Sequence, residues 1–87
     1  MKRKVRKLSR EYTHEKLRFL RKFGLHLKIV RESMGYTQDR VHLEGGLSRA
    51  TLSRIESGTC DAQVWTLARI AETIGVPLRK LTDVDKE

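Results

Sequence analysis

A short segment between Arg49 and Ser57 combines residue types and spacing suited to contacting the edges of DNA bases. The members of this set, at offsets 0, 1, 4, 5 and 8, are Arg49, Ala50, Ser53, Arg54 and Ser57. An α-helix with 3.6 residues per turn brings these offsets onto one side, which then carries two arginines, small side chains and no acid. Arginine can donate two hydrogen bonds to guanine, and small neighbours permit close approach to the major groove. The same pattern also fits the solvated outer face of an ordinary amphipathic helix.

The segment before this one is predicted to form a short helix that ends in a tight glycine turn. Thr37 is a favourable N-cap residue, and Asp39 places a carboxylate in the first turn, where the helix dipole favours negative charge. Val41 is the clear apolar position, and Gly45–Gly46 predicts the end of the helix. A helix of about two turns is too short to be stable alone, so we expect it to pack against its neighbours.

The helix that would carry the arginines has predicted ends of its own. Ser48 is the expected N-cap, and Leu47 and Leu52 occupy the two positions of a hydrophobic staple around it. Leu52 and Ile55 are three residues apart and mark the buried face, and Gly58 predicts the C-terminus.

A longer helix is predicted to precede this pair, from Thr13 as N-cap to Met34. Its apolar stripe recurs at spacings of three and four and consists of Leu17, Leu20, Phe23, Leu27, Val30 and Met34. Gly24 lies inside the stripe and is unfavourable in a helix by about 1 kcal/mol relative to alanine. The pattern therefore fits either one helix or two segments joined near Gly24.

Two further helices are predicted after Gly58. Asp61 is the expected N-cap of the first, with Ala62 at its first position and Gly75 at its end. The broad apolar face of that helix comprises Val64, Leu67, Ala68, Ile70, Ala71 and Ile74. Pro77 then begins a short helical turn. Since no stretch alternates with period two, we expect an all-α fold.

We expect the chain to consist of a basic N-terminal arm (residues 1–22), a folded body (23–82) and a frayed C-terminus (83–87), and charge distinguishes the arm from the rest. The arm holds ten Lys/Arg and two Asp/Glu, a net charge of +8, whereas residues 23–87 hold nine of each and are neutral. We expect the arm to be partly disordered or to extend the first helix. Its basic residues suited to neutralising DNA phosphates are Lys2, Arg3, Lys4, Arg6, Lys7 and Arg10. A solubilising tail and a localisation signal are the alternatives.

Several classes of protein are disfavoured by the sequence. The chain has one cysteine, Cys60, which excludes an intramolecular disulfide and fits a reducing compartment, so we expect a cytoplasmic protein. No long apolar run predicts a membrane span, and no signal-peptide pattern is present. His14, His26, His42 and Cys60 lack metal-ligand spacing, and no nucleophile–base pattern is visible. We therefore expect no enzyme activity, metal or cofactor.

From about residue 23 to residue 81, the sequence resembles the Cro/lambda-repressor-like (Xre-type) helix-turn-helix family. The resemblance is carried by FGLHLKIVRESMGYTQ (23–38), GLSRATLSRIESG (46–58) and TLARIAETIGVPLRKL (66–81). It implies a five-helix lambda-repressor-like DNA-binding domain, here preceded by a basic arm. His42 stands where the family usually has alanine, at the expected crossing of the two motif helices, and predicts a tilt of the second helix.

The resemblance also implies roles for individual residues. Arg31 and Glu56 match the buried ion pair of the family, and Arg49, Ala50 and Arg54 match its base-reading positions, which Ser53 borders on the same face. The positions matching phosphate contacts are Gln38, Ser48, Thr51, Ser57 and Thr59.

Two functions remain open at this stage. The first is a sequence-specific transcriptional regulator that binds double-stranded DNA as a homodimer, with half-sites about 34 Å apart. The second is an antitoxin or adaptor whose main partner is another protein, such as a toxin or the transcription machinery. Trp65, Phe19 and the arm would then be candidates for the protein interface.

Overall fold

The computed structural model describes the backbone of residues 5–84 and the side chains of residues 13–84. Five helices are present: α1 (Val5–Ser33), α2 (Gln38–Gly45), α3 (Arg49–Ser57), α4 (Val64–Ile74) and α5 (Leu78–Thr82). The described residues contain no β-strand, so the predicted all-α, five-helix architecture is confirmed. None of these helices combines the length and apolar character needed to cross a membrane.

The first helix is one continuous element, Val5–Ser33, and it includes part of the segment expected to be the basic arm. Thr13 lies within α1 and is therefore not its N-cap. The helix continues through Gly24, and this glycine is needed for the packing of α1 against α3. A Cβ atom built on Gly24 would lie 2.4 Å from the carbonyl oxygen of Ile55 and 2.5 Å from that of Glu56. Only glycine allows α1 to approach α3 this closely.

The two helices of the central motif have the ends that the sequence predicts. The Oγ1 atom of Thr37 accepts a hydrogen bond from the backbone N–H of Arg40 (3.0 Å) at the start of α2. The Oγ atom of Ser48 accepts one from the N–H of Thr51 (3.2 Å) at the start of α3. The helices are capped at their C-termini by Gly46 (φ 74°) and Gly58 (φ 78°), both in the left-handed conformation.

The core is formed where α1 packs on α3 and α5, and α4 packs on α2 and α5. Its buried members are Phe23, Leu27, Val30, Val41, Leu52, Ile55, Leu67, Ile70, Ala71, Ile74, Leu81 and Val84. The predicted stripe of α1 is wrong at both ends, since Leu17 and Met34 are 40% and 43% exposed beyond the edges of the body. Val84 is buried, so packing extends past the residue where fraying was expected to begin.

The start of α4 also differs from its prediction. The N-cap is Gln63 and the first helical residue is Val64, so Asp61 does not cap this helix. The carboxylate of Asp61 instead lies 3.5 Å from Nζ of Lys16 on α1. Because the helix begins later than predicted, Val64 is its first residue, is 70% exposed and does not join the apolar face.

Candidate nucleic-acid interface

The third helix presents the predicted arginine-bearing face to solvent. Its inward side is buried by Leu52, Ile55 and Glu56. The residues on its exposed side are Arg49, Ala50, Ser53, Arg54 and Ser57. The structure thus gathers all four residues predicted to read bases on one accessible surface.

A buried ion pair holds α3 against α1. The guanidinium of Arg31 donates to both carboxylate oxygens of Glu56, from Nε at 2.7 Å and from Nη2 at 2.8 Å. Its Nη1 donates to the carbonyl of Tyr36 at 2.7 Å, which ties the loop between α1 and α2 to the same guanidinium. The hydrogen bonds to Glu56 raise the pKa of Arg31 above its ordinary value, although burial opposes the change. A two-pronged geometry of this kind fixes the orientation of α3 as well as its position.

Gln38 joins this network from the start of α2. Its Nε2 donates to Oε1 of Glu56 at 2.9 Å, so one carboxylate receives hydrogen bonds from both α1 and α2. An amide nitrogen carries two hydrogens, and this contact uses one of them. Gln38 is therefore an organising contact between the motif helices in addition to being a predicted phosphate ligand.

The four hydroxyl residues predicted to contact phosphates fall into two groups. Ser48 accepts the capping bond of α3, which leaves its own O–H as a donor, whereas Thr51 is half-buried. The hydroxyls of Ser57 and Thr59 both donate to the carbonyl of Arg54, at 3.1 and 3.2 Å. These two hydroxyls therefore satisfy a carbonyl in the last turn of α3. Of the four residues, only Ser48 combines exposure with an O–H that the capping bond leaves available.

The two arginines of the α3 face differ in their surroundings. Nε of Arg49 lies 3.2 Å from Oδ1 of Asp39 on α2, and both side chains are well exposed. Arg54 is also exposed, but it forms no ion pair among the side chains that the structure describes. The sequence predicts only that Asp39 interacts favourably with the dipole of α2, and its contact with Arg49 was not predicted. A signal for the contact was present, because α3 begins with an arginine and has no acid in its own first turn.

His42 does not crowd the crossing of the motif helices. Its side chain is exposed, and its Nδ1–H donates to the carbonyl of Leu47 in the glycine turn. The close approach that requires a small residue on α2 is to α4, not to α3, and occurs at Gly45, where an added Cβ would lie 2.5 Å from Oγ1 of Thr73. The tilt predicted from His42 therefore has no steric basis.

The first helix runs past the C-terminal end of α3. A Cβ on Gly58 would lie 2.7 Å from the Cα of Arg21, so the two segments are in backbone contact there. Lys16, Arg18 and Arg21 are exposed on the part of α1 that precedes this contact. Of the predicted arm residues, Lys2, Arg3 and Lys4 lie outside the described residues. The same holds for the side chains of Arg6, Lys7 and Arg10.

No cluster of three or more His, Cys, Asp or Glu side chains suited to a metal occurs in the described part of the chain. Cys60 is a half-buried free thiol.

The fold and the exposed α3 face define a helix-turn-helix domain of the DNA-binding class. Residues 27–81 match the family model described as helix-turn-helix, and the chain belongs to this family. The chain is also similar to a solved structure, the restriction-modification controller protein C.AhdI from Aeromonas hydrophila. The two share 26% identity with a TM-score of 0.67, over 71% of this chain and 94% of the other. No curated protein sequence matched. The chain is thus a DNA-binding protein of a class that regulates transcription.

Proposed function

We propose that this protein is a sequence-specific transcriptional regulator, not an enzyme, and that it reads the major groove of double-stranded DNA with α3. The observation that carries the proposal is that α3 has an exposed face without acidic residues, while hydrogen bonds on its opposite, buried side hold it against the body. Glu56, on the inward side of α3, receives hydrogen bonds from Arg31 and Gln38. Base readout requires such rigidity because hydrogen bonds to base edges tolerate little displacement.

Bulk affinity is assigned to the arm, with Arg49, Ala50, Ser53 and Arg54 selecting the site. Arg21 lies against Gly58 at the C-terminal end of α3, so the basic stretch of α1 leads up to the helix that carries the proposed reading surface. Lysine and arginine side chains there can neutralise phosphates without reading sequence. Ser48 and Gln38 supply phosphate contacts that set the register of α3.

The regulator is proposed to bind as a homodimer. Two copies related by a two-fold axis would place their α3 helices in successive major grooves, about 34 Å apart. The similarity to a restriction-modification controller protein supports a role in gene control.

The experiment that tests the proposal is selection of bound duplexes from a random DNA library. We expect enrichment of a short sequence repeated with two-fold symmetry at a spacing of about one helical turn. Recovery of unenriched sequences at a salt concentration where binding persists would reject sequence-specific function. Enrichment of a single half-site would reject the homodimer alone.

A second candidate function is an antitoxin or adaptor that binds another protein. It is favoured by the exposure of Trp65, which is 71% accessible, and of Phe19, whose ring stacks on Phe23 at 6.3 Å between centroids. Trp65→Ala would then abolish capture of the partner while leaving DNA selection intact. Loss of DNA selection in this variant would instead place Trp65 at the DNA interface.

A further inference from the structure

An acidic side chain lies beside one of the two proposed base-reading arginines. Asp39 in the first turn of α2 forms an ion pair with Arg49 in the first turn of α3, with 3.2 Å between Oδ1 and Nε. We infer that Asp39 is a specificity-determining residue, which orients Arg49 for a guanine and makes its use on phosphates unfavourable. The inference rests on the proposed function, since it requires α3 to read bases.

The atoms of the contact determine which part of the guanidinium is presented to DNA. The carboxylate of Asp39 lies against Nε of Arg49, on the side of the group. The two terminal nitrogens, Nη1 and Nη2, project beyond Nε and form the fork that can bond O6 and N7 of a guanine together. Holding Nε limits the rotamers of Arg49 before binding, so less side-chain entropy is lost when the fork engages a base.

The local electrostatics also need an acid at this place. Arg49 stands at the N-terminus of α3, where the helix dipole disfavours a cation, and α3 supplies no acid in its first turn. Asp39 supplies that negative charge from α2, where its own position in the first turn is favourable. In the free protein, the carboxylate of Asp39 is therefore favourable at the N-terminus of α2 and also offsets the unfavourable positive charge of Arg49 at the N-terminus of α3.

The same carboxylate opposes contacts that carry no sequence information. Asp39 and Arg49 line an open cleft of about 560 Å³ at the start of α2, together with Thr37 and Gln38. A phosphate placed against Arg49 would lie close to the negative charge of Asp39, whereas guanine presents neutral acceptors. Asp39 thus lowers affinity for a misplaced backbone more than for the correct base.

Arg54 provides an internal comparison. It lies on the same face but forms no ion pair within the described part of the chain. We therefore expect discrimination to be sharper at the base pair contacted by Arg49 than at the one contacted by Arg54.

The test measures dissociation constants for the selected duplex, for single-base variants of it and for a random duplex, at one salt concentration. Arg49→Ala first identifies the base pair that depends on Arg49, which we expect to be G·C. Asp39→Asn should then reduce the preference at that pair by on the order of 10-fold. It should also raise affinity for random DNA, because one repulsive charge is removed.

Glu44→Gln is the matched control. Glu44 lies on the same helix, and its hydrogen bond from Arg40 lowers the pKa of its carboxyl, so it is charged at neutral pH. This variant removes an equal charge without touching Arg49. It should raise affinity for random DNA and leave every base preference unchanged.

Asp39→Asn combined with Arg49→Ala completes the cycle, and in that background Asp39→Asn should alter no base preference. The inference is overturned if Asp39→Asn keeps the full preference, if its effect persists without Arg49, or if the dependent pair is not G·C. Equal binding of selected and random duplexes by the unmodified chain would reject the proposed function itself, which is a separate result.

Discussion

The body and the N-terminal arm of this protein have opposite charge properties. Residues 1–22 hold ten basic and two acidic residues, whereas residues 23–87 hold nine of each. The family match and the buried core lie almost entirely in the neutral part. A neutral body has little general attraction for DNA, so its few arginines are suited to choosing a site. The contrast supports the proposal that the arm supplies most of the affinity for DNA and that the body selects the site.

A second contrast lies within the body, between two arginine–carboxylate pairs that each join two helices. Arg31 and Glu56 are buried and joined by two hydrogen bonds, and they fix α3 to α1. Asp39 and Arg49 are exposed and joined by one contact. Removing one partner of a buried pair destabilises the fold, because the other charge is left buried and unpaired, whereas an exposed pair contributes little to stability and can act on orientation.

The largest effect is expected from removing the arm. Deletion of residues 2–10 removes six basic residues, so the number of released counterions falls by up to ~6 and the salt dependence of binding becomes shallower. Dissociation constants measured across a salt series would show the change. Replacement of the same six residues by glutamine keeps the length and should reproduce it. An unchanged slope would show that the arm does not contact DNA phosphates.

Breaking the buried pair should be the next most severe change. Glu56→Ala leaves the Arg31 guanidinium buried without its carboxylate and removes the partner of Gln38. The free energy of unfolding should fall by about 3–5 kcal/mol, as measured by urea denaturation. Glu44→Ala removes an exposed carboxylate and should leave the midpoint unchanged. Equal effects of the two variants would contradict the structural role of the pair.

The close crossing of α1 and α3 gives a third test. Gly24→Ala would ordinarily favour a helix, but here the added methyl meets the carbonyls of Ile55 and Glu56. We expect a loss of about 1–3 kcal/mol in unfolding free energy, because backbone must move to accept it. Lys28→Ala, at an exposed position of the same helix, is the control. A stabilised Gly24→Ala variant would show that the helices are farther apart than the structure places them.

The smallest change concerns one base pair. Arg54→Ala should lower affinity for the selected duplex by about 1–3 kcal/mol and relax the preference at one position. Binding to a panel of single-base variants measures this directly. Arg79→Ala, on α5, should relax no position. If Arg54→Ala weakened all duplexes equally, Arg54 would be a phosphate contact.

Much of the fold could be predicted from local signals in the sequence. Thr37, Ser48, Gly46 and Gly58 act within one turn of their own helix ends, so their types were sufficient to predict where α2 and α3 begin and end. The start of α4 was predicted wrongly because the carboxylate of Asp61 could either cap the helix or form an ion pair, and it forms the ion pair. Its pairing with Lys16 depends on where α1 lies, which no local pattern contains.

The site could be predicted in part for the same reason. Helical periodicity alone gathers the exposed residues of α3 on one face. The contact between Asp39 and Arg49 joins two helices and depends on the angle between them. Likewise, glycine is required at position 24 because α3 packs closely against it, and the local sequence of α1 does not contain this information.

One measurement tests the division between arm and body most directly. It is the ratio of affinities for the selected duplex and for random DNA at matched salt, with and without residues 2–10. We expect a ratio of ~10³ or more for the intact chain and a similar ratio after deletion, although both affinities fall. A ratio near one for the intact chain, or a ratio that falls to near one when the arm is deleted, would show that the body does not select the site by itself.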